Sequence, residues 1–559
     1  MTAGTIETPS GRFTIPANRY DCVIIGGGVN GAGTFRDLAM RGLKVCLYEK
    51  NDFGAGTSGS SSAMIHGGLR YILSEPSVTK NSCKDAGFIR KTASHLVFRI
   101  PFLYPVMRWR KMARFVLFGV DSVLFGYDFY GRMKGAYPHL LLKADEIKKI
   151  EPGLSDEVIG GATFDEWGIY TNRLCYLLVK SGEEAGGKAF NHAEVEGIEY
   201  VKPKEGREGY YRIKVNHKLD RRTERVEART VVNAGGPWGP EVAKMAGAHY
   251  RLRPAKGVHL VLDRRITNYA VVTQAEDGRE IFIEPWGNVT LIGTTDDDYY
   301  GSLDDIPVTH DEVEYLLEGI EKIMPEIRKN RVISTWAGVR PTLYEFGKNE
   351  DKLSRDHRIY DHKEEGLNGM WSIAGGKLAE FRLISEEVSD CVCRFLQNPA
   401  WSRTAEVPLP GSDEVFDIKS MSLHWSVDPY VLKRMAVRHG SLSRKILVLM
   451  LKIPVSRNLI CRCEPVTEAE ILYSIQNEKV RTMEDLSRRT MCGTGPCGGV
   501  RCAYQVAVIL GKHLDWSADQ MRIAAQEFIE RQYSKRREVI RESQARQEVL
   551  TKMCLPEIK

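Results

Sequence analysis

The 559-residue sequence predicts a mixed α/β and α+β protein with a discontinuous Rossmann-like domain, an interleaved antiparallel-sheet domain and a helical C-terminal region. Three observations lead to this fold class. A glycine motif follows a short apolar stretch near the N-terminus. The same order of strand, glycine turn and helix returns at residues 228–247 and 370–395, and paired cysteines follow residue 456. Because the recurring segments lie far apart in the chain, we expect a second domain to be inserted between them.

Composition excludes several function classes. A hydrophobic content of 43% and a charged content of 27% are typical of soluble globular proteins. The net charge of +6 is small for this length, so no nucleic-acid partner is expected. We expect neither a secretory signal nor a membrane span, because no long apolar stretch occurs. Seven cysteines that are scattered singly or lie in apolar segments indicate thiols in a reducing, cytoplasmic location; they are Cys22, Cys46, Cys83, Cys175, Cys391, Cys393 and Cys554.

The stretch "DCVIIGGGVNGAG" carries the nucleotide motif. Residues 21–25 form a predicted apolar strand, and Gly26, Gly28 and Gly31 have the G-x-G-x-x-G spacing before a helix. Such glycines allow a tight turn and the approach of a pyrophosphate to the helix N-terminus. Glu49 ends the next strand, where a carboxylate can accept a hydrogen bond from a ribose hydroxyl. A plain glycine turn is the alternative, but strand, turn, helix, strand and acid all occur in the required order.

The loop after the motif favours FAD over NAD. Residues 53–71, "FGAGTSGSSSAMIHGGLRY", are small and hydroxylated, so they can follow the phosphates and ribitol of a flavin, whereas a NAD domain normally continues with another βαβ half. The two recurring segments each add a glycine turn and a helix N-terminus. The predicted FAD contacts are Gly26, Gly28, Asn30, Gly31, Glu49, Lys50, Thr57, Ser58, Ser60, Ser61, Ser62, His66, Gly67, Gly68, Val195, Ala234, Gly235, Trp238, Gly376, Lys377 and Leu378.

Residues 20–395 resemble the FAD-dependent glycerol-3-phosphate dehydrogenases, within the larger fold family of D-amino-acid and glycine oxidases. The resemblance is carried, in this order, by "VIIGGGVNGAG", "GTSGSSSAMIHGGLRY", "VVNAGGPW", "KGVHLVL", "IEPWGNVTLIGTTDDDY", "WAGVRPTL", "LSRDH" and "AGGKLAEFR". It implies oxidation of glycerol 3-phosphate to dihydroxyacetone phosphate, with hydride passing to flavin N5. Two alternatives stay open: an oxidase that reduces oxygen, and a related oxidoreductase or electron-relay protein with another substrate.

The same resemblance implies the substrate residues. They are Arg70, Tyr71, His259, Thr295, Arg340, Arg355 and Lys377, of which Arg70, His259, Arg340 and Lys377 are the catalytic candidates. Arginine and lysine suit a phosphate dianion, and an imidazole can accept the proton of the alcohol. Isolated arginines are more often solvated surface residues, and a histidine among apolar neighbours is often a core residue. These assignments therefore depend on the matching motifs.

Residues 96–127 combine aromatic and aliphatic clusters with five basic residues. This pattern favours a helix or hairpin lying in the headgroup layer of a membrane, and the alternative is a core helix pair of the substrate domain. The resemblance favours the membrane surface, because such enzymes commonly deliver electrons to a quinone. It implies that the acceptor is a quinone or a partner electron-transfer subunit, and that the protein has a peripheral location on the inner face of the cell membrane. A homo-oligomer stays open.

The predicted domain boundaries follow from these segments. They are an N-terminal extension at 1–19, an FAD-binding domain at 20–80, 155–250 and 345–400, a substrate and membrane-facing domain at 81–154 and 251–344, a linker at 401–415, a helical segment at 416–455, a cysteine domain at 456–512 and C-terminal helices at 513–559.

Four cysteines form two pairs in the C-terminal third: Cys461 with Cys463, and Cys497 with Cys502. Four thiolates fit a 2Fe–2S cluster or a structural zinc ion, although zinc pairs more often have two to four intervening residues. The pattern from "CRCEP" to "TMCGTGPCGGVRC" resembles the bacterioferritin-associated-ferredoxin-like domain that ends the catalytic chain of the anaerobic glycerol-3-phosphate dehydrogenase. That resemblance implies a 2Fe–2S cluster. Cys492 falls outside the pattern, so we expect it not to be a ligand.

Overall fold

The computed structural model describes residues 5–8, 11–14, 19–204, 208–347, 356–541 and 543–553. These residues form two compact units. The first comprises the chain up to residue 59 with residues 174–255 and 339–409, and the second comprises residues 60–173, 256–338 and the chain from residue 410. The predicted fold class is confirmed. The boundaries differ from those predicted, because residues 60–80 and 155–173 belong to the second unit rather than to the unit with the nucleotide motif.

The strands are numbered in chain order. They are β1 Thr5–Thr8, β2 Gly11–Thr14, β3 Arg19–Ile25, β4 Val45–Tyr48, β5 Val97–Met107, β6 Leu140–Lys143, β7 Val158–Ile169, β8 Lys188–Phe190, β9 Ala193–Val201, β10 Tyr210–His217, β11 Arg222–Asn233, β12 Leu252–Leu262, β13 Ala270–Gln274, β14 Glu280–Trp286, β15 Val289–Gly293, β16 Asp297–Asp298, β17 Val332–Leu343, β18 His357–Asp361, β19 Met370–Gly375, β20 Leu459–Cys461 and β21 Val466–Thr467.

The α-helices are numbered in the same way. They are α1 Val29–Met40, α2 Pro76–Thr92, α3 Ala113–Gly131, α4 Ala144–Ile150, α5 Thr171–Glu184, α6 Gly239–Met245, α7 His310–Glu321, α8 Phe381–Leu396, α9 Ile418–Trp425, α10 Pro429–His439, α11 Ser443–Lys452, α12 Glu468–Asn477, α13 Met483–Thr490, α14 Ala503–Leu514, α15 Ala518–Ser534 and α16 Ser543–Met553.

The first unit is built on a sheet with the strand order β18-β19-β11-β3-β4-β8, whose central pairs are parallel. β9 and β10 extend β11 as antiparallel strands. Residues 22–25 of β3 are all buried, as expected for a parallel strand that is covered on both faces. α1 packs on α8 at Gly33, where a Cβ atom would lie 2.3 Å from the Ser385 hydroxyl. The glycine-rich start of α1 is therefore held rigidly at the carboxyl end of β3.

The second unit contains a sheet with the order β16-β12-β15-β14-β13-β5-β7-β6, with β17 also paired to β12. β12 with β15, β13 with β14, β14 with β15, β5 with β7 and β6 with β7 are antiparallel pairs, and β13 with β5 is a parallel pair. Val258, Leu260 and Leu262 of β12 lie in an apolar cluster with α7. Because side chains alternate along a strand, His259 lies on the opposite face. The alternation therefore places the one polar side chain of the stretch "VHLVL" on the face away from this apolar cluster.

The segment predicted to meet a membrane divides into two structures. Its first part is β5, a strand inside the sheet whose Ile100, Leu103 and Val106 are fully buried, so this part is core rather than membrane-facing. Its second part enters α3, whose exposed residues include Phe115, Phe118, Phe125 and Phe129, each between 67% and 76% exposed. Among the helices of the described ranges, none has both the length and the apolar character needed to cross a bilayer.

A buried charge network joins Arg173 to the C-terminal helices within the second unit. The Arg173 guanidinium donates two hydrogen bonds to the Glu478 carboxylate, at 2.7 and 3.0 Å. Arg438 pairs with Glu470 in the same way, at 2.5 and 2.8 Å. The His439 imidazole lies between the carboxylates, 2.9 Å from Glu470 and 3.5 Å from Glu478. All five side chains are at most 2% exposed, so each charge depends on its partner rather than on water.

Candidate flavin cradle, substrate residues and cysteine centre

The nucleotide motif forms a turn that only glycine can make. Gly26 has a φ of +105°, and a Cβ atom there would lie 2.5 Å from the Ala234 carbonyl oxygen. A Cβ atom on Gly31 would lie 1.9 Å from the Gly26 carbonyl oxygen. α1 then begins after Gly28 without a side-chain cap. A pyrophosphate can take the place of that cap, since the first amide groups of a helix bind anions.

Glu49 closes the turn from the next strand. Its carboxylate accepts hydrogen bonds from the amides of Gly27, at 2.6 Å, and Asn51, at 2.8 Å. Burial raises the pKa of Glu49, and these two amides oppose the rise. Lys50 places its ammonium group 4.2 Å from the centre of the Trp238 ring. The acid, the lysine and the tryptophan predicted to contact FAD thus lie at the same end of the parallel sheet as Gly26.

The loop after β4 is fastened to the motif and to β17 within the first unit. The Ser58 hydroxyl accepts a hydrogen bond from the Val29 amide at 2.9 Å, and the Thr57 hydroxyl donates to the Val339 carbonyl at 2.6 Å. Val339 directly precedes Arg340. The structure therefore brings the hydroxylated loop, the start of α1 and the strand that bears Arg340 together. Contact of these residues with a flavin stays a prediction.

The last recurring segment, after β19, supplies a second glycine turn. Gly375 and Gly376 both have positive φ, at +72° and +84°. Lys377 follows them, and its side chain is largely buried, with Nζ 3.9 Å from a Glu380 carboxylate oxygen. This turn leads into α8, which packs on α1. Lys377 is thus held in the first unit, on the element that is packed against the nucleotide motif.

In the second unit, His259 is almost fully buried, and its Nε2 atom lies 2.9 Å from Ser62 Oγ. The imidazole is stacked on the Trp336 ring, with 5.3 Å between the ring centres. It also covers Gly293, where a Cβ atom would lie 2.4 Å from the imidazole. The ring is therefore fixed in one orientation, with Ser62 as a hydrogen-bonding partner. The tautomer decides which of the two atoms donates.

The other predicted substrate residues are distributed over both units. Thr295 accepts a hydrogen bond from the Val258 amide at 3.0 Å, next to His259. Arg70 is exposed and lies 5.0 Å above the ring of Tyr71. Arg340 belongs to the first unit and is partly buried. Arg355 lies outside the described residues. The structure thus brings Thr295 and His259 together within one unit, and their role in binding substrate stays a prediction.

A polar cluster that sequence reasoning missed anchors the segment containing His66, Gly67 and Gly68. The Gly67 amide donates to the Glu166 carboxylate at 2.9 Å. Lys134 and Tyr127, which are also fully buried, bond to the same carboxylate. A Cβ atom on Gly67 would lie 2.2 Å from the Tyr127 hydroxyl, so glycine is required there. Local sequence gives no sign of this cluster, because its members come from four separate elements.

The five cysteines between residues 461 and 502 lie in two adjacent groups. The sulfur atoms of Cys461, Cys492 and Cys502 all lie within 4.8 Å of one another, and these three residues are buried. Cys463 and Cys497 are partly exposed, with 3.7 Å between their sulfur atoms. Cys492, which falls outside the predicted ligand pattern, thus lies beside two of the predicted ligands, and the expectation that it is not itself a ligand stays a prediction. Spacing alone did not reveal that the loop folds back to place Cys492 beside Cys502.

Thiol hydrogen bonds shift the acidity of the centre. Cys492 and Cys502 lower the pKa of Cys461 to about 2, and this hydrogen bonding raises the pKa of each of the two donors. In the same way Cys463 lowers the pKa of Cys497 to about 6, while its own rises. Each group thus favours one thiolate, the form in which cysteine binds metals.

The centre is shaped for a bound inorganic group. A Cβ atom on Gly495 would lie 2.3 Å from Cys463, and Gly493, Gly498 and Gly499 all have positive φ. The glycine-rich loop can therefore wrap closely around the sulfur atoms. Arg434 fastens both cysteine segments: it forms an ion pair with Glu464 and lies 3.6 Å from the sulfur of Met491. Five thiols in so small a volume fit a 2Fe–2S cluster or a zinc ion, which four of them can ligate.

Comparisons with known proteins define the class to which this fold and these residues belong. The model of the family "FAD dependent oxidoreductase" matches residues 21–378. The model of the "C-terminal domain of alpha-glycerophosphate oxidase" matches residues 402–521. The structure is similar to that of the glycerol-3-phosphate dehydrogenase from Bacillus halodurans complexed with FAD, with a TM-score of 0.73, 24% identity and coverage of 93% of this chain and 95% of that chain.

Two curated relatives narrow the class. One is a component of the anaerobic glycerol-3-phosphate dehydrogenase of Escherichia coli, which is 32% identical over 503 residues, covering 88% of this chain and 88% of that protein. The other is the glycerol-3-phosphate dehydrogenase of Synechocystis, which is 31% identical over 540 residues, covering 91% of this chain and 96% of that protein. The chain belongs to the family of FAD-dependent glycerol-3-phosphate dehydrogenases, which confirms that part of the resemblance seen in the sequence.

Proposed function

We propose that this protein oxidises sn-glycerol 3-phosphate to dihydroxyacetone phosphate and passes the electrons on through a 2Fe–2S cluster, a quinone, or both. The observation that carries the proposal is the pair formed by His259 and Ser62 in a chain whose Gly26 and Gly31 form a tight turn suited to a dinucleotide. When bound, FAD supplies the acceptor for the hydride that leaves carbon-2. The family membership and the names of the relatives support this substrate.

The residues of the chain accept the proton of the alcohol and bind the phosphate group. His259 accepts the proton of the alcohol, because its imidazole is held at one position by Trp336 and Ser62. Arg70, Arg340, Arg355 and Lys377 supply the positive charge that a phosphate dianion requires, and a guanidinium can bind two of its oxygens at once. Tyr71 and Thr295 add hydrogen-bonding groups. Burial of His259 excludes water from the imidazole, so the proton is transferred to a defined atom.

Anaerobic addition of glycerol 3-phosphate to the FAD-loaded protein tests the reaction. The proposal expects the flavin absorbance to bleach within the turnover time, and an unchanged spectrum would contradict it. The match to the C-terminal domain of an oxidase raises a second candidate, an enzyme that reduces oxygen. Oxygen consumption in the presence of substrate, without an added dye, would favour that candidate. An electron-relay protein for another substrate would leave the flavin oxidised in the same experiment.

The cysteine centre is the proposed site of the cluster. Cys461, Cys463, Cys497 and Cys502 are the predicted ligands, and the two sulfur groups provide thiols for two iron atoms. The cluster accepts single electrons when it is present. Iron and sulfide analysis, with an electron paramagnetic resonance spectrum of the dithionite-reduced protein, tests this assignment. If the analysis found zinc and no iron, the centre would be a structural zinc site and not a 2Fe–2S cluster.

The membrane surface is the proposed location, and a quinone or a partner electron-transfer protein is the proposed acceptor. The support comes from α3, where Phe115, Phe118, Phe125 and Phe129 form an exposed aromatic stripe. Arg108, Lys111 and Arg114 lie exposed close to the start of this helix. An apolar stripe with basic residues beside it fits the headgroup layer of an anionic bilayer. On this proposal the protein lies at the inner face of the cell membrane, where a lipid-soluble acceptor can reach it.

A further inference from the structure

The cysteine centre contains one thiol more than a 2Fe–2S cluster requires. Such a cluster takes four thiolates, two on each iron. Cys463 and Cys497 form a pair, with 3.7 Å between their sulfur atoms. In the described residues, no third cysteine, histidine or carboxylate joins this pair within the distance that unites the other group. The group of Cys461, Cys492 and Cys502 therefore offers three thiols for two positions.

We infer that Cys492 is a reserve ligand for the iron held by the group of three. This inference depends on the proposed cluster. In a protein that lacks the Cys461 or the Cys502 thiol, the Cys492 thiol would lose its proton to solvent, and its sulfur would form the iron–sulfur bond that the missing residue would make. This step needs no oxidant, because an S–H bond breaks, an iron–sulfur bond forms and the oxidation state of iron is unchanged.

The geometry supports this exchange because Cys492 is already in place. Its sulfur atom lies 4.0 Å from that of Cys502, and its side chain is 3% exposed. Its amide donates to the Thr490 hydroxyl at 3.2 Å, which fixes the start of the loop. Gly493 follows with a φ of +84°, so the chain turns directly after the thiol. The Cys492 sulfur therefore lies beside the two predicted ligands of this group, where it would serve as a ligand without refolding of the loop.

The inference predicts an asymmetry between the two groups. Loss of one thiol from the group of three is compensated, whereas loss of one thiol from the pair is not. Four single variants of the full chain test this asymmetry: C461S and C502S in the group of three, and C463S and C497S in the pair. C492S and the double variant C492S/C502S test the part played by Cys492 itself. Iron and acid-labile sulfide per protein are measured together with the paramagnetic resonance spectrum after dithionite reduction.

The expected result is that C461S and C502S keep about half or more of the wild-type iron and sulfide, with a changed resonance spectrum. C492S keeps the wild-type spectrum, and C463S, C497S and C492S/C502S fall below about a tenth of the wild-type iron. Bound FAD and the far-ultraviolet circular dichroism spectrum show that each variant is folded.

Three results would contradict the inference. Equal loss of iron in all single variants other than C492S would overturn the inference but would not contradict the proposed cluster. Retention of the cluster in the double variant would also overturn it, because serine oxygen would then be the substitute ligand. A wild-type protein without iron would overturn the proposed cluster and this inference together.

Discussion

The imidazole of His259 and the hydroxyl of Ser62 are 2.9 Å apart, although 197 residues separate them in the chain. His259 comes from the middle of a strand, and Ser62 from the loop that follows the nucleotide motif. Ser62 thereby gives the imidazole a defined orientation. Their meeting links the hydroxylated loop, in which Ser62 is a predicted FAD contact, to the proposed proton transfer.

Replacing Ser62 with alanine should slow the oxidation of glycerol 3-phosphate. A hydrogen bond of this kind contributes about 1 kcal/mol, which corresponds to about a fivefold decrease in kcat/KM. Steady-state kinetics with a dye acceptor measure this effect. Ser94→Ala, at an exposed position in the same unit, is the matched control. Unchanged kinetics in S62A would remove Ser62 from the proposed chemistry.

Replacing Glu49 with glutamine should weaken FAD binding. The carboxylate accepts hydrogen bonds from Gly27 and Asn51 and so holds the turn at the start of α1. An amide side chain can accept only one of these bonds, and hydrogen bonds to a charged acceptor contribute more than neutral ones. The Kd for FAD, measured from flavin fluorescence, should rise about tenfold. Glu241→Gln, at an exposed site in α6, should leave the Kd unchanged. A Kd in E49Q equal to that of the wild type would contradict the role of Glu49.

Removing two aromatic side chains from α3 should release the protein from lipid. Phe118 and Phe125 are 70% and 76% exposed. Burying a phenylalanine side chain contributes about 1.5–3 kcal/mol, so the variant F118S/F125S should bind anionic vesicles at least about tenfold more weakly. Flotation with phosphatidylglycerol-containing vesicles measures the bound fraction. Phe346 is 91% exposed at a site remote from α3 in sequence, and F346S is the control. An equal loss of binding in F346S would show that α3 has no special part.

Removing Arg173 should destabilise the C-terminal helices strongly. Burial by itself would raise the pKa of Glu478, but the charges of Arg173 and then His439 outweigh burial and hold that pKa well below its usual range. In R173A the carboxylate keeps its burial and loses its principal partner, which costs about 3–5 kcal/mol. The double variant R173A/E478Q should recover part of this loss. Urea unfolding followed by fluorescence measures the change. Arg444→Ala, which breaks the exposed pair with Glu414, should cost less than about 1 kcal/mol.

Features that depend on residues close together in the chain could be predicted from the sequence. The features that were missed depend on contacts between distant segments. Gly26 and Gly31 could be predicted because their turn is built from neighbouring residues, and Glu49 because it follows the next strand of the same strand–helix–strand unit. The place of Cys492 beside Cys502 could not, because the conformation of a glycine-rich loop is not encoded in cysteine spacing. The prediction that the whole of residues 96–127 faces a membrane was wrong for β5, for a different reason. A buried strand and an exposed aromatic helix have similar compositions, and only the neighbouring strands β7 and β13 decide which part is covered.

His95 should make the second unit sensitive to acid. Burial, together with the nearby charges of Arg173 and His439, lowers the pKa of this imidazole to about 3, and Asp413 opposes this decrease. In the unfolded chain the pKa is about 6.5. Between these two values the unfolded chain binds more protons, so the free energy of unfolding decreases as the pH falls below about 6.5, by at most about 1.4 kcal/mol per pH unit. The variant His95→Asn tests this expectation. Asparagine keeps a polar group near the Ser412 hydroxyl, which lies 2.7 Å from His95 Nδ1, and it cannot bind the proton. As the pH falls from 7.5 to 4.5, the free energy of unfolding of H95N should therefore decrease less than that of the wild type. His424→Asn, at an exposed site, should show no such shift. A difference that stays constant with pH would show that His95 does not control the acid response.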